Sequence, residues 1–186
     1  MKCSEICALI EQEYGTEYAC DWDNVGLLAG RSTKEVKKIL LSLDATDEVV
    51  RMAVEGGYDM LITHHPMLFS AIKRVTDQDM NGRRLLELIH NDISYYAMHT
   101  NYDTRGMADL AARLMGLTEC AVLEEVKDGE GIGRVGKLPH PMTLRECGEQ
   151  VKVAYGIPNV RLFGDPDTQV SLVGICPGAG KSTMPL

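Results

Sequence analysis

The stretch from Val36 to Pro66, "VKKILLSLDATDEVVRMAVEGGYDMLITHHP", constrains the fold more than any other part of the chain. Two short apolar runs, Ile39 to Leu43 and the one inside "YDMLITHH", flank a segment with its own start and stop signals. Thr46 supplies a helix N-cap, Asp47 and Glu48 favour the positive end of the helix, and Gly56 and Gly57 end it. A strand, a short helix and a second strand in this order imply a parallel pair, because the helix carries the chain back to its starting edge. The pattern then recurs, with a helix around Asn81 to His90, a strand from Ile93 to Met98, and the sequence "HTNYD" directly after it. A further helix is expected from about Met107 to Met115, stopped by Gly116. At the N-terminus, Ile6, Leu9, Ile10 and Tyr14 recur at helical spacing. The expectation is an α/β fold, a mostly parallel sheet with flanking helices.

From Leu123 to Pro141 the texture changes to glycine and charge, which predicts loops around one short strand, Ile132 to Leu138. Thr143 and Glu146 form a capping box that opens a helix running to about Tyr155. Strands are expected at Val160 to Phe163 and Gln169 to Cys176. Two domains follow from this reading: 1–120, which carries the polar motifs at the strand ends, and 121–186, the start of a second α/β subdomain.

Several function classes are disfavoured by composition. The formal net charge is −8, and no basic cluster exceeds Lys37–Lys38 or Arg83–Arg84. A duplex-binding surface needs concentrated positive charge to displace counterions, so direct nucleic-acid binding is not expected. No run approaches the roughly 18 apolar residues of a membrane helix. The N-terminal stretch carries Glu5, Glu11 and Glu13, unlike a signal peptide, so no membrane association and a cytoplasmic location are expected. Six scattered cysteines with no CxxC read as reduced, structural thiols.

The chemistry sits where the strands stop. Neighbouring side chains on a strand point to opposite faces, so His64 and His65 diverge unless the backbone turns, and Pro66 takes both out of the ladder. Diverging neighbours suit two metals, one imidazole each. The second motif, His99 to Asp103, follows the next predicted strand. In open parallel sheets ligands collect outside the carboxyl ends of strands, and both motifs lie there. His64, His65 and Asp103 are therefore candidate metal ligands, with nitrogen and oxygen donors suited to zinc, iron, manganese, nickel or cobalt. His99 is a candidate catalytic residue, readable as a ligand, a general base or a group orienting a ligand. His90 and His140 read as structural. "PGAGKS", Pro177 to Ser182, fails as a phosphate-binding loop because that pattern requires glycine where Ile175 stands. Its glycines are expected to form a tight strand-to-helix turn.

"DWDNVGLLAG", "LITHHP" and "HTNYD", in this order and spacing, resemble the Nif-three-like dinuclear metal centre family, whose members often carry the name GTP cyclohydrolase I type 2 homologue. The resemblance spans essentially the whole chain. It implies a two-domain α/β fold, a toroidal homohexamer and paired divalent metals facing an internal cavity, with ligands at His64, His65 and Asp103. It also implies that family members continue beyond the length of this chain, into a portion supplying a further histidine and a bridging glutamate. A metal-dependent hydrolase acting on a small molecule is the function expected. The alternatives are a non-enzymatic metal-binding or scaffold protein, and a DHH-type phosphoesterase, for which Thr63 stands where the name motif has aspartate.

Overall fold

The computed structural model describes residues 1–180. Contacts divide the chain into two compact units meeting at Tyr102 and Asp103, ahead of the 120/121 boundary suggested by sequence texture.

The first unit carries a four-stranded sheet made of β1 (Gly26–Ala29), β2 (Ile39–Ser42), β3 (Met60–Thr63) and β4 (Ser94–Ala97), in the order β1-β4-β3-β2. Strands β2, β3 and β4 are parallel and β1 runs antiparallel to β4. Three helices flank it: α1 (Cys3–Glu13), α2 (Asp47–Glu55) and α3 (Met80–His90). Thr46 accepts the Val49 N–H and Asp79 accepts the Gly82 N–H, so α2 and α3 each start on a side-chain cap.

Both faces of the sheet are covered, so its central strands β3 and β4 are buried at every position rather than at alternate ones. Met60, Ile62 and Tyr96 pack with Cys3 and Cys7 of α1, whereas Leu61, Tyr95 and Ala97 pack with Val50, Ala53, Leu85 and Leu88 of α2 and α3. Each fully buried apolar side chain of this size contributes about 1.5–3 kcal/mol. The close approach of β1 to β4 needs a residue without a side chain. A Cβ on Gly30, at φ +97°, would lie 2.6 Å from the Ser94 Cα.

The register sets up the site. Thr63 pairs with Ala97, so β3 and β4 end level with one another. The residues that follow them, His64–His65 and His99, therefore leave the sheet at the same edge.

The second unit opens with a π-helical turn, Asp103–Met107, and the helix Ala108–Leu114. It then forms a three-stranded antiparallel sheet, β5 (Thr118–Lys127), β6 (Glu130–Thr143) and β7 (Gln169–Ile175), with the helix Leu144–Tyr155 beginning on the expected Thr143–Glu146 capping box. Two local expectations fail here. The glycine-rich stretch is a long hairpin whose two-residue turn, Asp128–Gly129, has positive φ at both positions (52° and 77°), the geometry that Asp-Gly favours. Pro139 and Pro141, which cannot donate to a ladder, fall where the β6–β7 register breaks between Lys137 and Met142. Val160 to Phe163 form no strand. Phe163 is 85% exposed and among the described residues no strand pairs with the segment, so β propensity alone does not organise it.

Arg134, only 5% exposed, is the polar centre of this unit. Its Nε donates to Asp109 at 2.6 Å, and its remaining nitrogens donate to the carbonyls of Gly131, Gly133 and Thr104. Among the cysteines, Cys3, Cys7 and Cys147 are buried, and burial pushes the Cys7 thiol up to about 12. Cys120 is exposed. Among the described residues no helix is long and apolar enough to cross a membrane. The expected turn at "PGAGKS" reaches Gly178 and Ala179; Lys181, Ser182 and any helix beyond them lie outside the described residues.

Candidate metal centre

His64, His65 and His99 converge at the carboxyl edge of the first unit's sheet. One ligand-capable atom from each lies within 4.8 Å of the other two. The ring centroids stand 5.0 Å apart for His64 and His65, 5.2 Å for His64 and His99, and 5.6 Å for His65 and His99. The backbone turns as soon as β3 ends at Thr63, so the adjacent imidazoles meet rather than point to opposite faces. Tyr95 holds this turn. Its hydroxyl lies 2.8 Å from Thr63 Oγ1 and accepts the Met67 N–H at 2.7 Å, while Thr63 Oγ1 donates to the His65 carbonyl at 2.8 Å.

Each imidazole is oriented through its Nδ1. His64 Nδ1 stands 3.0 Å from the Met98 carbonyl, which can only accept, so this nitrogen carries the proton and Nε2 keeps its lone pair. His65 Nδ1 meets the Asp44 carboxylate at 2.8 Å, a pair that is half exposed on both sides and so serves orientation more than stability. His99 Nδ1 meets Asp23 Oδ1 at 3.0 Å. Oxygen acceptors behind Nδ1 are the usual supports of imidazoles that ligate metals, because they set the tautomer and the ring plane. The donor set and its supports fit a divalent transition metal.

Asp23, which supports His99, is a residue of the candidate site that sequence reasoning missed. Its side chain is completely buried. Burial pushes the carboxyl up, but hydrogen bonds from His99, the Thr100 hydroxyl, the Thr100 N–H and the Asn24 N–H outweigh it and bring it down to about 2. Asp23 is therefore ionised at neutral pH and accepts the His99 Nδ1 proton. No spacing rule links it to a partner 76 positions away; only its place in "DWDN" marks it. Asp44 was within reach of the strand-end rule, since it follows β2 as the histidines follow β3 and β4.

The same contacts explain why the motifs read as they do. In "HTNYD", Thr100 holds Asp23 through both its N–H (2.9 Å) and its hydroxyl (2.5 Å). Asn101, fully buried, accepts the His99 N–H at 2.9 Å and donates to the Tyr14 carbonyl at 2.7 Å. In "DWDN", Asn24 donates to the Leu68 carbonyl beyond the histidine pair at 2.5 Å. The three motifs are thus stitched to one another at one edge of the sheet.

Asp103 opens the second unit, at the start of the π-helical turn, four residues after His99. His90, exposed at the end of α3, and His140, exposed within β6, take no part in the histidine cluster.

The model of the family described as Duf34/NIF3 (NGG1p interacting factor 3) matches residues 1–185. The GTP cyclohydrolase 1 type 2 homolog of Clostridium perfringens is 35% identical over 185 residues, covering 97% of this chain and 71% of the relative. That of Clostridium acetobutylicum is 33% identical over 187 residues, covering 97% and 69%. A hypothetical protein of Staphylococcus aureus has a similar structure, with a TM-score of 0.86 at 27% identity over 98% of this chain and 73% of the other. A Bacillus cereus protein related to NIF3 reaches a TM-score of 0.89 at 22% identity over 98% and 78%, a likeness of fold alone. With the family model spanning nearly every residue, the chain belongs to the Duf34/NIF3 family.

Proposed function

We propose that this protein binds divalent transition metal at His64, His65 and His99 and uses it for hydrolysis of a small molecule. The observation that carries the reading is the set of three imidazoles with one ligand-capable atom of each within 4.8 Å of the others, each ring backed by an oxygen at Nδ1. Asp103, the acid that the family pattern supplies, is kept in the proposed ligand set on the sequence motif alone. With it, the donors extend to the two ions per chain that the resemblance implies.

A divalent ion in such a site supplies Lewis acidity and lowers the pKa of water from about 15.7 to about 7. The chain's own groups do the rest. Met98 and Asp44 hold the rings of His64 and His65 through Nδ1, which leaves Nε2 of each as the nitrogen that would hold the metal. Asp23, ionised and buried, raises the basicity of His99 by accepting its Nδ1 proton, which equips Nε2 either to ligate or to take a proton from a reacting group. We assign Nε2 of His99 to the metal in the loaded site; in the unloaded site the same nitrogen is the proton acceptor.

Hydrolysis is supported by the name shared by the bacterial relatives, GTP cyclohydrolase 1 type 2 homolog. The zinc- or manganese-loaded protein should turn over GTP or a member of a phosphodiester panel, and turnover should fall with His99→Ala. Absence of turnover on every substrate by fully loaded protein would remove the hydrolase reading.

A second reading, a metal-binding scaffold without a reaction, draws on the family description, which names an interacting factor rather than an activity. Partner binding that survives loss of metal in a His64→Ala/His65→Ala variant would favour it. The DHH-type reading loses ground, because Thr63 is buried and its hydroxyl serves Tyr95 and the His65 carbonyl. A cytoplasmic homohexamer remains the proposed setting. Light scattering on the purified chain tests the assembly.

A further inference from the structure

We infer that Trp22 and Phe69 form a stacking platform for a planar heteroaromatic ring beside the histidine cluster. The chain has one tryptophan and two phenylalanines. It places the tryptophan and one of the phenylalanines here, on loops from different parts of the sequence. Their ring centroids are 5.7 Å apart with planes tilted by 46°. His99 meets both edge-on, at 6.1 Å from Trp22 and 6.3 Å from Phe69. Yet Trp22 is 59% exposed and Phe69 49%. Two large rings in contact, adjoining metal-competent nitrogens and still half open to solvent, leave apolar area that packing among the described residues does not use.

Loose loops would explain exposed rings without a ligand, but these loops are clamped. Trp22 sits inside a turn closed by the Asp23 N–H donating to the Cys20 carbonyl at 2.9 Å. The Cys20 N–H is held by Thr100 Oγ1 at 2.9 Å, and the Asp23 side chain is fully buried against His99 and Thr100. On the other side, the Met67 N–H donates to the Tyr95 hydroxyl and the Met67 carbonyl accepts from Asn81 at 3.0 Å. Asn24 ties the two loops together through the Leu68 carbonyl. Both rings are therefore preorganised, and a ligand that stacks on them loses little free energy to loop ordering. An aromatic face accepts any flat π-system, so the platform selects a ring as a class and leaves the choice of atom attacked to the nitrogen cluster.

The inference extends the reading of the histidines as a metal centre, and the experiment separates the two. As the sole tryptophan, Trp22 reports binding by its own emission. The full chain, loaded with zinc, is titrated with guanosine, adenosine and ribose 5-phosphate. Both nucleosides are expected to quench Trp22 and bind more tightly than the sugar phosphate. Phe69→Leu, which keeps apolar bulk but removes the ring, should weaken the nucleosides by about tenfold at unchanged zinc content. Emission indifferent to the nucleosides, equal binding by Phe69→Leu, or a Trp22 shielded from acrylamide by a second copy of the chain would each overturn the platform. Zinc-filled protein with a silent Trp22 refutes the platform alone. Protein that takes up no zinc but still binds nucleosides through Phe69 supports the platform and refutes the metal centre.

Discussion

Replacing Asp23 with asparagine separates the orientation of His99 from the mere presence of an imidazole. Each Asp23 oxygen holds one backbone N–H: Oδ1 accepts from Asn24 at 2.8 Å and Oδ2 from Thr100 at 2.9 Å. An asparagine amide has one oxygen and one NH2 group, so whichever way it is turned, its donors face a backbone donor that cannot accept. The depression of the carboxyl from 3.8 to about 2 corresponds to roughly 2 kcal/mol of native-state stabilisation. A stranded buried donor adds about 1–3 kcal/mol. Asp23→Asn should therefore lose about 3–5 kcal/mol at neutral pH, read by urea denaturation of the chelator-treated protein. The sign with pH is fixed, since the folded carboxyl titrates below its unfolded value. Its contribution is complete above about 3.8 and disappears as pH falls through about 2, so the gap between wild type and variant should narrow by roughly 2 kcal/mol there. Metal affinity should fall about 10–100-fold, because a neutral amide replaces the carboxylate that supports His99 Nδ1. A variant within about 0.5 kcal/mol of wild type, with unchanged affinity, would refute the reasoning.

Three further outcomes follow from the same contacts. Tyr95→Phe removes the acceptor for the buried Met67 N–H and should cost about 1–3 kcal/mol in chemical denaturation, with weaker metal binding because the turn carrying His64 and His65 loosens. Arg134→Met strands the carbonyls of Gly131, Gly133 and Thr104 and should destabilise the second unit by about 2–4 kcal/mol; hydrogen exchange localised to the Thr118–Lys127 and Glu130–Thr143 hairpin is the check. Thr143→Ala removes the capping box of the helix Leu144–Tyr155 and should cost about 1 kcal/mol, visible as a lower midpoint in thermal melts.

The parallel core of the first unit was legible because its signals are local and agree with one another. Apolar runs of strand length, Thr46 at a cap and glycines at the stop all point the same way, and parallel strand ends then predict where ligands gather. His64 and His65 were found by that rule, and so was the approach of His99. Asp23 was not legible, since its partners are brought to it only by tertiary structure. The second unit was harder to read because glycine and charge, taken as marks of loops, also suit a twisted two-stranded ribbon. The Asp128–Gly129 pair was the overlooked sign of its turn. At Val160 to Phe163 the error ran the other way, with propensity mistaken for a strand that finds no pairing neighbour among the described residues.

Metal content of the purified full chain tests the central claim most directly. After equilibration with cobalt(II) or zinc(II) and removal of excess, elemental analysis should find at least one ion per chain. Each of His64→Ala, His65→Ala and His99→Ala should retain markedly less while keeping the wild-type circular dichroism spectrum. Folded wild-type protein that emerges empty, or three variants that hold as much metal as the parent, would contradict it.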